Sequence, residues 1–501
     1  MTGVSDHSNF GLPALDSTSR QAAVAATAGL PATAIRAVPL VVASALLLEF
    51  IDSTALSTAL PTLAVAFHSD SLHLKLALTS YLLALAVFAP ASGWAADRFG
   101  ARRIFMAAMA VFLGGSVLCA MSRSIGALVA ARIVQGLGGA MMTPVGRLIV
   151  VETSRKSDLV TAMAWFTTPA LIGPIIGPPV AGLVLSLASW PWIFLINLPV
   201  GLVAMAAVAR LVPPIVRPDP GAFDWRGFAL VGTGIVALVA TAETAGLGLV
   251  PVWVEILGGV CAASLLLLYR KYARHSARPV LDLGLLRYQT YRTSLAGGTI
   301  IRLGLGAIPF LLPLLLQNGL GWSPPKAGLV MIAMGVGALA ARSIVSPLIR
   351  RVGFKPVLIG TGLAAAALTA VPGLFRAATP LGLIATILAA SGFVRAMQFT
   401  ATNTIAFAEI PEARMSTAST LATVSQQVGM SLGVTAGAFA LAIASSGPPG
   451  SGGGAFPVAF LIVAGISALA APIYLALPRA AGSEISGRVA AAPVEAVHPH
   501  L

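Results

Sequence analysis

Apolar blocks of about 20 residues recur along the whole chain, and each is long enough to cross a lipid bilayer as one helix. Of the 501 residues, 57% are hydrophobic and 10% are charged, whereas soluble domains carry roughly a quarter charged residues. We predict fourteen spans, at residues 37–59, 74–95, 103–121, 126–148, 161–187, 191–212, 227–246, 250–269, 293–317, 325–349, 355–375, 380–403, 418–445 and 455–477. The expected fold is an all-α polytopic membrane protein without a soluble domain.

Basic residues are distributed unevenly around these spans. The formal net charge of +14 could by itself indicate a nucleic acid partner. Of the 31 Lys and Arg residues, however, 23 fall in segments predicted to lie on one side, leaving Lys75, Arg123, Lys326 and Arg376 on the other and Arg132, Arg302, Arg342 and Arg395 within spans. Loops rich in Lys and Arg stay in the cytoplasm. We therefore expect both termini in the cytoplasm, and no nucleic acid partner.

Motifs for cofactor or metal chemistry are absent from the sequence. Cys119 and Cys261 both lie in apolar blocks, and the six histidines show no ligand spacing. There is no G-x-x-x-x-G-K-[ST] loop for ATP, so energy for transport would have to come from an ion gradient. A membrane enzyme would need clustered His, Asp or Cys at a membrane face. We predict neither a cofactor nor an enzyme.

Ionisable residues within the first and fourth spans are the candidate proton-coupling groups. Glu49 and Asp52 are three positions apart, so they share one helix face. Charged side chains within a span are costly and usually face a cavity or a partner. Burial and a neighbouring carboxylate both favour a protonated carboxyl group, so one of the two could load and release protons. Arg132 needs a counter-ion, which either carboxylate could supply; a pair that serves folding alone is the alternative.

A charged, glycine-containing connector joins the second and third spans, and it is a candidate conformational gate. It contains Gly93, Asp97, Arg98, Gly100, Arg102 and Arg103. Glycines permit two helices to approach closely, and the acid can accept hydrogen bonds from arginines or from a helix N-terminus. The simpler alternative is a cluster that only orients the two helices.

Small residues and prolines punctuate the fourth and fifth spans. They include Gln135, Gly136, Gly173, Pro174, Gly177 and Pro178. Glycines at four-residue spacing permit close helix contact and prolines bend a helix, so these residues predict a packing seam.

An internal repeat relates the two parts of the chain. Residues 346–355 resemble residues 93–102 at an offset of 253, although Arg350 replaces Asp97. Two six-helix halves with two inserted spans account for this repeat. We expect a disordered cytoplasmic tail at 1–36, an N-terminal half at 37–212, two inserted helices with a cytoplasmic connector at 213–292, a C-terminal half at 293–477, and a second tail at 478–501.

Polar residues in the second half define a candidate substrate cavity. They are Arg302, Gln317, Arg395, Gln398 and Asn403. The arginines have no matching acid in that half. They could neutralise Glu49 or Asp52 across a central cavity, or they could receive an anionic substrate.

These motifs resemble those of the major facilitator superfamily. G-x-x-x-D-R-x-G-x-R-R at 93–103 resembles its second-to-third-helix loop, and R-x-x-Q-G-x-G-x-A from Arg132 resembles its fourth-helix motif. The acid-and-proline pattern from Asp52 to Pro61 and G-P-x-x-G-P from Gly173 are similar to motifs of the fourteen-span drug:proton antiporters of the EmrB/QacA type.

The resemblance implies proton-coupled efflux of small amphipathic or drug-like molecules across a bacterial inner membrane by alternating access. Its implied partners are a small-molecule substrate, protons, the bilayer and a periplasmic adaptor. Two alternatives stay open. One is an exporter of a specific metabolite or organic anion, and the other is a sensor or scaffold without transport.

Overall fold

A computed structural model of the chain describes residues 32–154, 159–215, 221–245, 250–411, 414–445, 454–478 and 481–482. The predicted terminal tails lie outside these ranges, except for residues 32–36, 478 and 481–482. The first described helix begins at Ala32, and the part of it that is long and apolar enough to cross a membrane begins at Ala37.

The described residues are almost entirely helical, which confirms the predicted fold class. Helices satisfy every backbone polar group within one segment, as a bilayer requires. The helices are α1 Ala32–Ala66, α2 Ser71–Phe88, α3 Ser92–Phe99, α4 Ala101–Ala120, α5 Ile125–Thr153, α6 Leu159–Leu187, α7 Trp192–Leu195, α8 Asn197–Leu211, α9 Trp225–Thr244, α10 Val252–Ala273, α11 Gln289–Leu314, α12 Pro324–Val352, α13 Phe354–Ala370, α14 Leu381–Ala406, α15 Met415–Ser445, α16 Ala455–Ala468 and α17 Ala470–Leu475.

The number of spans is slightly lower than predicted. Within the described ranges, 12 helices are long and apolar enough to cross a membrane, and a bent pair makes 13. That pair, Leu72–Phe88 and Ala91–Phe99, is bent by 57° where Pro90 interrupts the helix. The remaining predicted span, at 161–187, corresponds to α6, the 29-residue helix Leu159–Leu187.

Two glycines in equivalent loops mark the repeat in the backbone. Gly100 separates α3 from α4 with φ 93°, and Gly353 separates α12 from α13 with φ 87°. Side chains strongly disfavour such left-handed conformations, so glycine is required at both turns. Phe99 and Val352 end the preceding helices. Both pairs are 253 positions apart, as the sequence repeat predicts.

The helices form an N-terminal group, α1–α8, and a C-terminal group, α11–α17. They meet along α6 against α12, α2 against α15, and α1 against α11. Glycines permit the first of these contacts: a Cβ at Gly182 would lie 2.7 Å from the carbonyl oxygen of Pro324.

The hydrophobic core is shared at one end of the bundle and divided at the other. At the divided end, which carries Arg98–Arg103 and Arg350–Lys355 and is called the arginine-rich end below, each group has its own core. Val42 and Phe105 belong to the core of the N-terminal group, and Leu358 and Met397 to that of the C-terminal group. At the opposite end, a single core combines Leu60 and Leu311 from the two groups. The groups thus share one core at that end. At the arginine-rich end their main cores are distinct, but the groups still touch: Arg147 of α5 donates to the hydroxyl of Ser419 on α15 at 3.4 Å, and Val87 of α2 packs against a further core that includes residues of α15.

The helices between the two groups are attached mainly through α9. This helix packs on α2 and on α15, and α10 packs on α9. A buried ion pair joins Lys75 of α2 to Glu243 of α9, with 2.9 Å between Nζ and Oε2. Thr435 of α15 donates a hydrogen bond of 2.7 Å to the other carboxylate oxygen of Glu243. The inserted helix is therefore tied to both groups.

Candidate functional site

A buried ion pair between α1 and α5 forms the centre of the site. The Nη1 atom of Arg132 lies 2.6 Å from Oδ2 of Asp52, and the two residues are 0% and 1% exposed. Of the two carboxylates that the sequence offered as counter-ions, the structure selects Asp52. A charge this deeply buried is tolerable only when it is paired and hydrogen-bonded.

Neutral side chains of α4, α5 and α8 and one backbone carbonyl of α2 complete the hydrogen-bond network around the pair. The amide nitrogen of Gln135 donates hydrogen bonds to Oδ1 of Asp52, at 3.0 Å, and to the hydroxyl of Ser116, at 2.9 Å. Asn197 of α8 donates to the same Oδ1 atom at 2.8 Å. Arg132 donates from Nε to the carbonyl oxygen of Ala77 at 3.1 Å. The cluster joins α1, α2, α4, α5 and α8. A change in its charge would therefore alter hydrogen bonds between five helices.

Local sequence explains how α5 brings Arg132 to this position. Arg132 and Gln135 are three positions apart and therefore share a helix face. Gly136 allows α5 to approach α2, because a Cβ there would lie 2.8 Å from the carbonyl oxygen of Tyr81. The guanidinium of Arg132 lies 4.2 Å from the centre of the Tyr81 ring, in a cation–π contact.

Glu49 lies one helical turn from Asp52 and has a simpler environment. It is 7% exposed, and Thr143 of α5 donates to its Oε2 atom at 3.2 Å. The second-half arginines that could have neutralised Glu49 or Asp52 do not contact them in the described residues. That suggested pairing is wrong, because Asp52 is occupied by Arg132 from its own group.

The residues predicted as a gate lie at the arginine-rich end, and most of them are helical rather than part of a loop. Gly93, Asp97 and Arg98 are on α3, Arg102 and Arg103 are on α4, and Gly100 lies between the two helices. Arg102 donates a hydrogen bond to the carbonyl oxygen of Ala209 on α8, and the side chains of Arg98 and Arg103 are exposed. The proposed close helix contact at Gly93 is wrong: no other part of the described chain lies within 4 Å of where its Cβ would be. Gly100 has a different use, the left-handed turn described above.

The glycines of α6 make the packing seam that the sequence predicts. A Cβ at Gly173 would overlap the side chain of Phe50, and one at Gly177 would overlap Thr54. Both neighbours are on α1, beside the two carboxylates. Pro178 is buried, whereas Pro174 is exposed. The seam therefore fixes the helix that carries Glu49 and Asp52.

The structure brings together only part of the candidate substrate cavity. Arg302 donates from Nη2 to Oδ1 of Asn403 at 3.4 Å, and Gln398 accepts a hydrogen bond from Thr361 on α13. Arg395 points elsewhere and donates to Thr369 at 3.1 Å.

Gln317 lies outside this cluster. It donates at 2.8 Å to the carbonyl oxygen of Thr58 on α1, at the end where the two groups share a core. Its assignment to a common cavity with Arg302 is not supported by this placement.

Sequence reasoning missed Asn197, Ser116, Tyr81 and Thr143 as members of the site. Each is a polar residue within an apolar block, and Asn197 belongs to the segment W-I-F-L-I-N-L-P. Their position as isolated polar residues within predicted spans was the sequence feature that could have indicated membership of the site. Gln135 was predicted as a packing residue, but its amide contacts both charges of the ion pair.

Comparison with known proteins agrees with this architecture. The model of the family described as Major Facilitator Superfamily matches residues 42–269 and 295–497. The chain belongs to the major facilitator superfamily. The family identifies it as an integral membrane transporter of small molecules rather than an enzyme.

Among its relatives in this superfamily are bacterial proteins named "Putative multidrug resistance protein MdtD". The chain is 37% identical to one from Klebsiella pneumoniae subsp. pneumoniae, over 88% of this chain and 95% of that protein. It is 38% identical to one from Escherichia coli strain SE11, over 79% and 84% of the two chains.

Solved structures of other transporters share the fold at low identity. The POT family transporter PepTSo has a TM-score of 0.67 at 16% identity, covering 88% of this chain and 97% of that one. A mutant of the nucleoside transporter NupG has a TM-score of 0.62 at 15% identity, covering 88% and 99%.

Proposed function

We propose that this protein exports small amphipathic or drug-like molecules in exchange for protons, by alternating access across a bacterial inner membrane. The buried Asp52–Arg132 pair carries this proposal, since a membrane-buried carboxylate that accepts hydrogen bonds from a cation and from side chains of two other helices is a group whose protonation changes packing. The names of the MdtD relatives support efflux of drugs.

Alternating access follows from the division of the core. One end of the bundle has a core common to both groups, and the arginine-rich end has two. We assign the arginine-rich end to the cytoplasm, in accordance with the positive-inside rule. Rocking of the two groups about their contact would then expose a site between them to either side of the membrane in turn.

Glu49 and Asp52 are the proposed proton carriers, and Arg132 is the counter-ion. A proton arriving from outside removes the negative charge of one carboxyl group and weakens its contacts. Loss of the charge on Asp52 would release Arg132, Gln135 and Asn197 from a shared acceptor. Release of the proton on the cytoplasmic side would restore these contacts and complete the exchange.

The gate and the domain division belong to the same proposal. Residues 37–212 and 293–477 act as the two rocking halves, with 213–292 between them and both termini in the cytoplasm. The connector from Gly93 to Arg103 stabilises one state through contacts such as that of Arg102 with α8. A periplasmic adaptor would complete export through a second membrane.

Substitution of Asp52 in reconstituted vesicles tests the proposal. With an imposed proton gradient, wild-type protein should drive flux of compounds from a broad panel, whereas Asp52→Asn and Glu49→Gln should reduce gradient-driven flux toward that of empty vesicles. Asp70→Asn is the matched control, because Asp70 is exposed and Asn caps a helix about as well as Asp.

Undiminished coupled flux in Asp52→Asn would contradict the role of Asp52. Wild-type protein that moves none of the panel under a gradient would favour a sensor or scaffold.

A further inference from the structure

The helices that open the two groups, α1 and α11, correspond position by position. Ala66 ends α1, and Gly319 ends the π-turn that continues α11, again 253 positions apart. The same spacing places Arg302 of α11 at the position equivalent to Glu49 of α1. A guanidinium in the C-terminal group thus corresponds to a carboxyl group in the N-terminal group.

Arg302 is buried without a counter-ion in the part of the chain that the structure describes. It is 6% exposed, and the ion pairs of that part join other residues. Its contact with Asn403 is long, at 3.4 Å. Arg132, the buried cation of the N-terminal group, has the carboxylate of Asp52 at 2.6 Å. A buried cation is strongly disfavoured unless an anion compensates it.

Arg302 lies at an intermediate depth of the bundle. Ile301 belongs to the separate core at the arginine-rich end, and Ala307 belongs to the shared core. Arg302 therefore lies near the depth at which the separate core of its group gives way to the core that both groups share. Asn403 and Ser425 nearby are half-buried polar residues, and Ser425 hydrogen-bonds Thr299 at 3.0 Å.

We propose that Arg302 and Asn403 bind the anionic group of the transported molecule, so that the substrate is a small organic acid. This inference rests on the proposed transport function. A guanidinium presents paired N–H donors that match the two oxygens of a carboxylate. Asn403 accepts from Arg302 through Oδ1, which leaves its amide nitrogen to donate to the same anion.

Space around the guanidinium is provided by a glycine, which allows a sharp test. A Cβ at Gly298 would lie 2.8 Å from Nη1 of Arg302, so Gly298→Ala should displace the guanidinium without removing its charge. Gly360→Ala is the matched control, because nothing lies within 4 Å of its Cβ position.

Equilibrium binding to the purified full-length protein, without a proton gradient, tests the site. The probes are aromatic and aliphatic carboxylates, such as 2-naphthoate, each compared with its neutral amide and with the corresponding ammonium compound. Wild-type protein should bind a carboxylate at least about tenfold more tightly than its amide. Arg302→Gln and Gly298→Ala should each remove most of this preference, Arg302→Lys should retain part of it, and Gly360→Ala should retain all of it.

Tighter binding of the ammonium compounds, failure of every carboxylate to bind, or an unchanged preference in both Arg302→Gln and Gly298→Ala would overturn the proposal. Proton coupling is measured separately in vesicles. Carboxylate binding without gradient-driven flux would refute the exporter while leaving the site intact. Proton-coupled flux of other compounds, with no carboxylate binding, would refute the carboxylate site and leave the exporter intact.

Discussion

At the scale of single residues, the Asp52–Arg132 pair illustrates how a charge is tolerated inside a membrane bundle. Neither the carboxylate nor the guanidinium would be stable as a buried charge without the other. The carboxylate receives donors from Arg132, Gln135 and Asn197, and the guanidinium also donates to a backbone carbonyl. Each partner therefore depends on the other for its burial.

Removal of one partner should be more harmful than removal of both. Arg132→Leu leaves Asp52 buried and uncompensated, and we expect a loss of about 3–5 kcal/mol in the free energy of unfolding. Adding Asp52→Asn to that variant should recover part of the loss. Denaturant unfolding of the purified protein in detergent measures both effects.

Arg342→Leu is the control for that measurement, because Arg342 is an exposed arginine on α12. Its substitution should change stability by less than about 1 kcal/mol. Equal effects of Arg132→Leu and Arg342→Leu would show that the pair does not stabilise the bundle.

The sequence could predict part of this site, and the reason is physical. An arginine and an acid within spans each demand a partner, so their pairing was predictable. Asn197 and Ser116 are uncharged, and nothing in their own segments requires a partner in a specific helix. Their contacts with Asp52 and Gln135 join residues more than 15 positions apart and depend on how the helices pack.

At the scale of helices, the seam between α1 and α6 holds the proton site in place. Gly177→Ala would put a Cβ where Thr54 now lies, so we expect destabilisation of about 1–3 kcal/mol from overpacking. Gly114→Ala on α4 should be neutral or slightly stabilising, since that position is open and alanine favours a helix. Thermal unfolding of the two variants makes the comparison. A neutral Gly177→Ala would mean that the seam is not tightly packed.

The inserted helix α9 is held by an apolar seam, to which Val231, Ile235 and Val239 belong, and by a buried ion pair. Lys75 and Glu243 are both largely inaccessible, and Glu243 also contacts Thr435. The sequence predicted only on which side of the membrane Lys75 lies, and a contact over 168 positions could not be predicted from its own segment.

A double-mutant cycle measures the coupling in that pair. Lys75→Met and Glu243→Met should each destabilise the protein by several kcal/mol, because each leaves a buried charge. The double variant should be less destabilised than the sum of the single variants, by about 1–3 kcal/mol. Additive effects would show that the two side chains do not interact energetically.

At the scale of the whole molecule, the two groups are related by a repeat that the sequence revealed only at one loop. The match of residues 346–355 to 93–102 predicted two halves, and the positive-φ glycines at the two turns agree with it. The extent of the shared core at one end could not be predicted, since both halves are apolar along their whole length.

Closure at the end opposite the arginines should be part of each transport cycle. Gln317 of the C-terminal group contacts the backbone of Thr58 there. A disulfide between the variants Thr58→Cys and Gln317→Cys, in a background where the exposed Cys261 is replaced by Ala, should abolish vesicle flux. Reduction of that disulfide should restore the flux. Full flux in a completely cross-linked sample would mean that this end need not open.

The exchange of protons for substrate is tested most directly by running the process in reverse. Vesicles containing wild-type protein and a pH-sensitive dye are given a substrate gradient and no initial pH difference. Substrate moving down its gradient should drive protons in the opposite direction, and Asp52→Asn should abolish that proton movement. Substrate flux through wild-type protein with no accompanying proton movement would contradict the account.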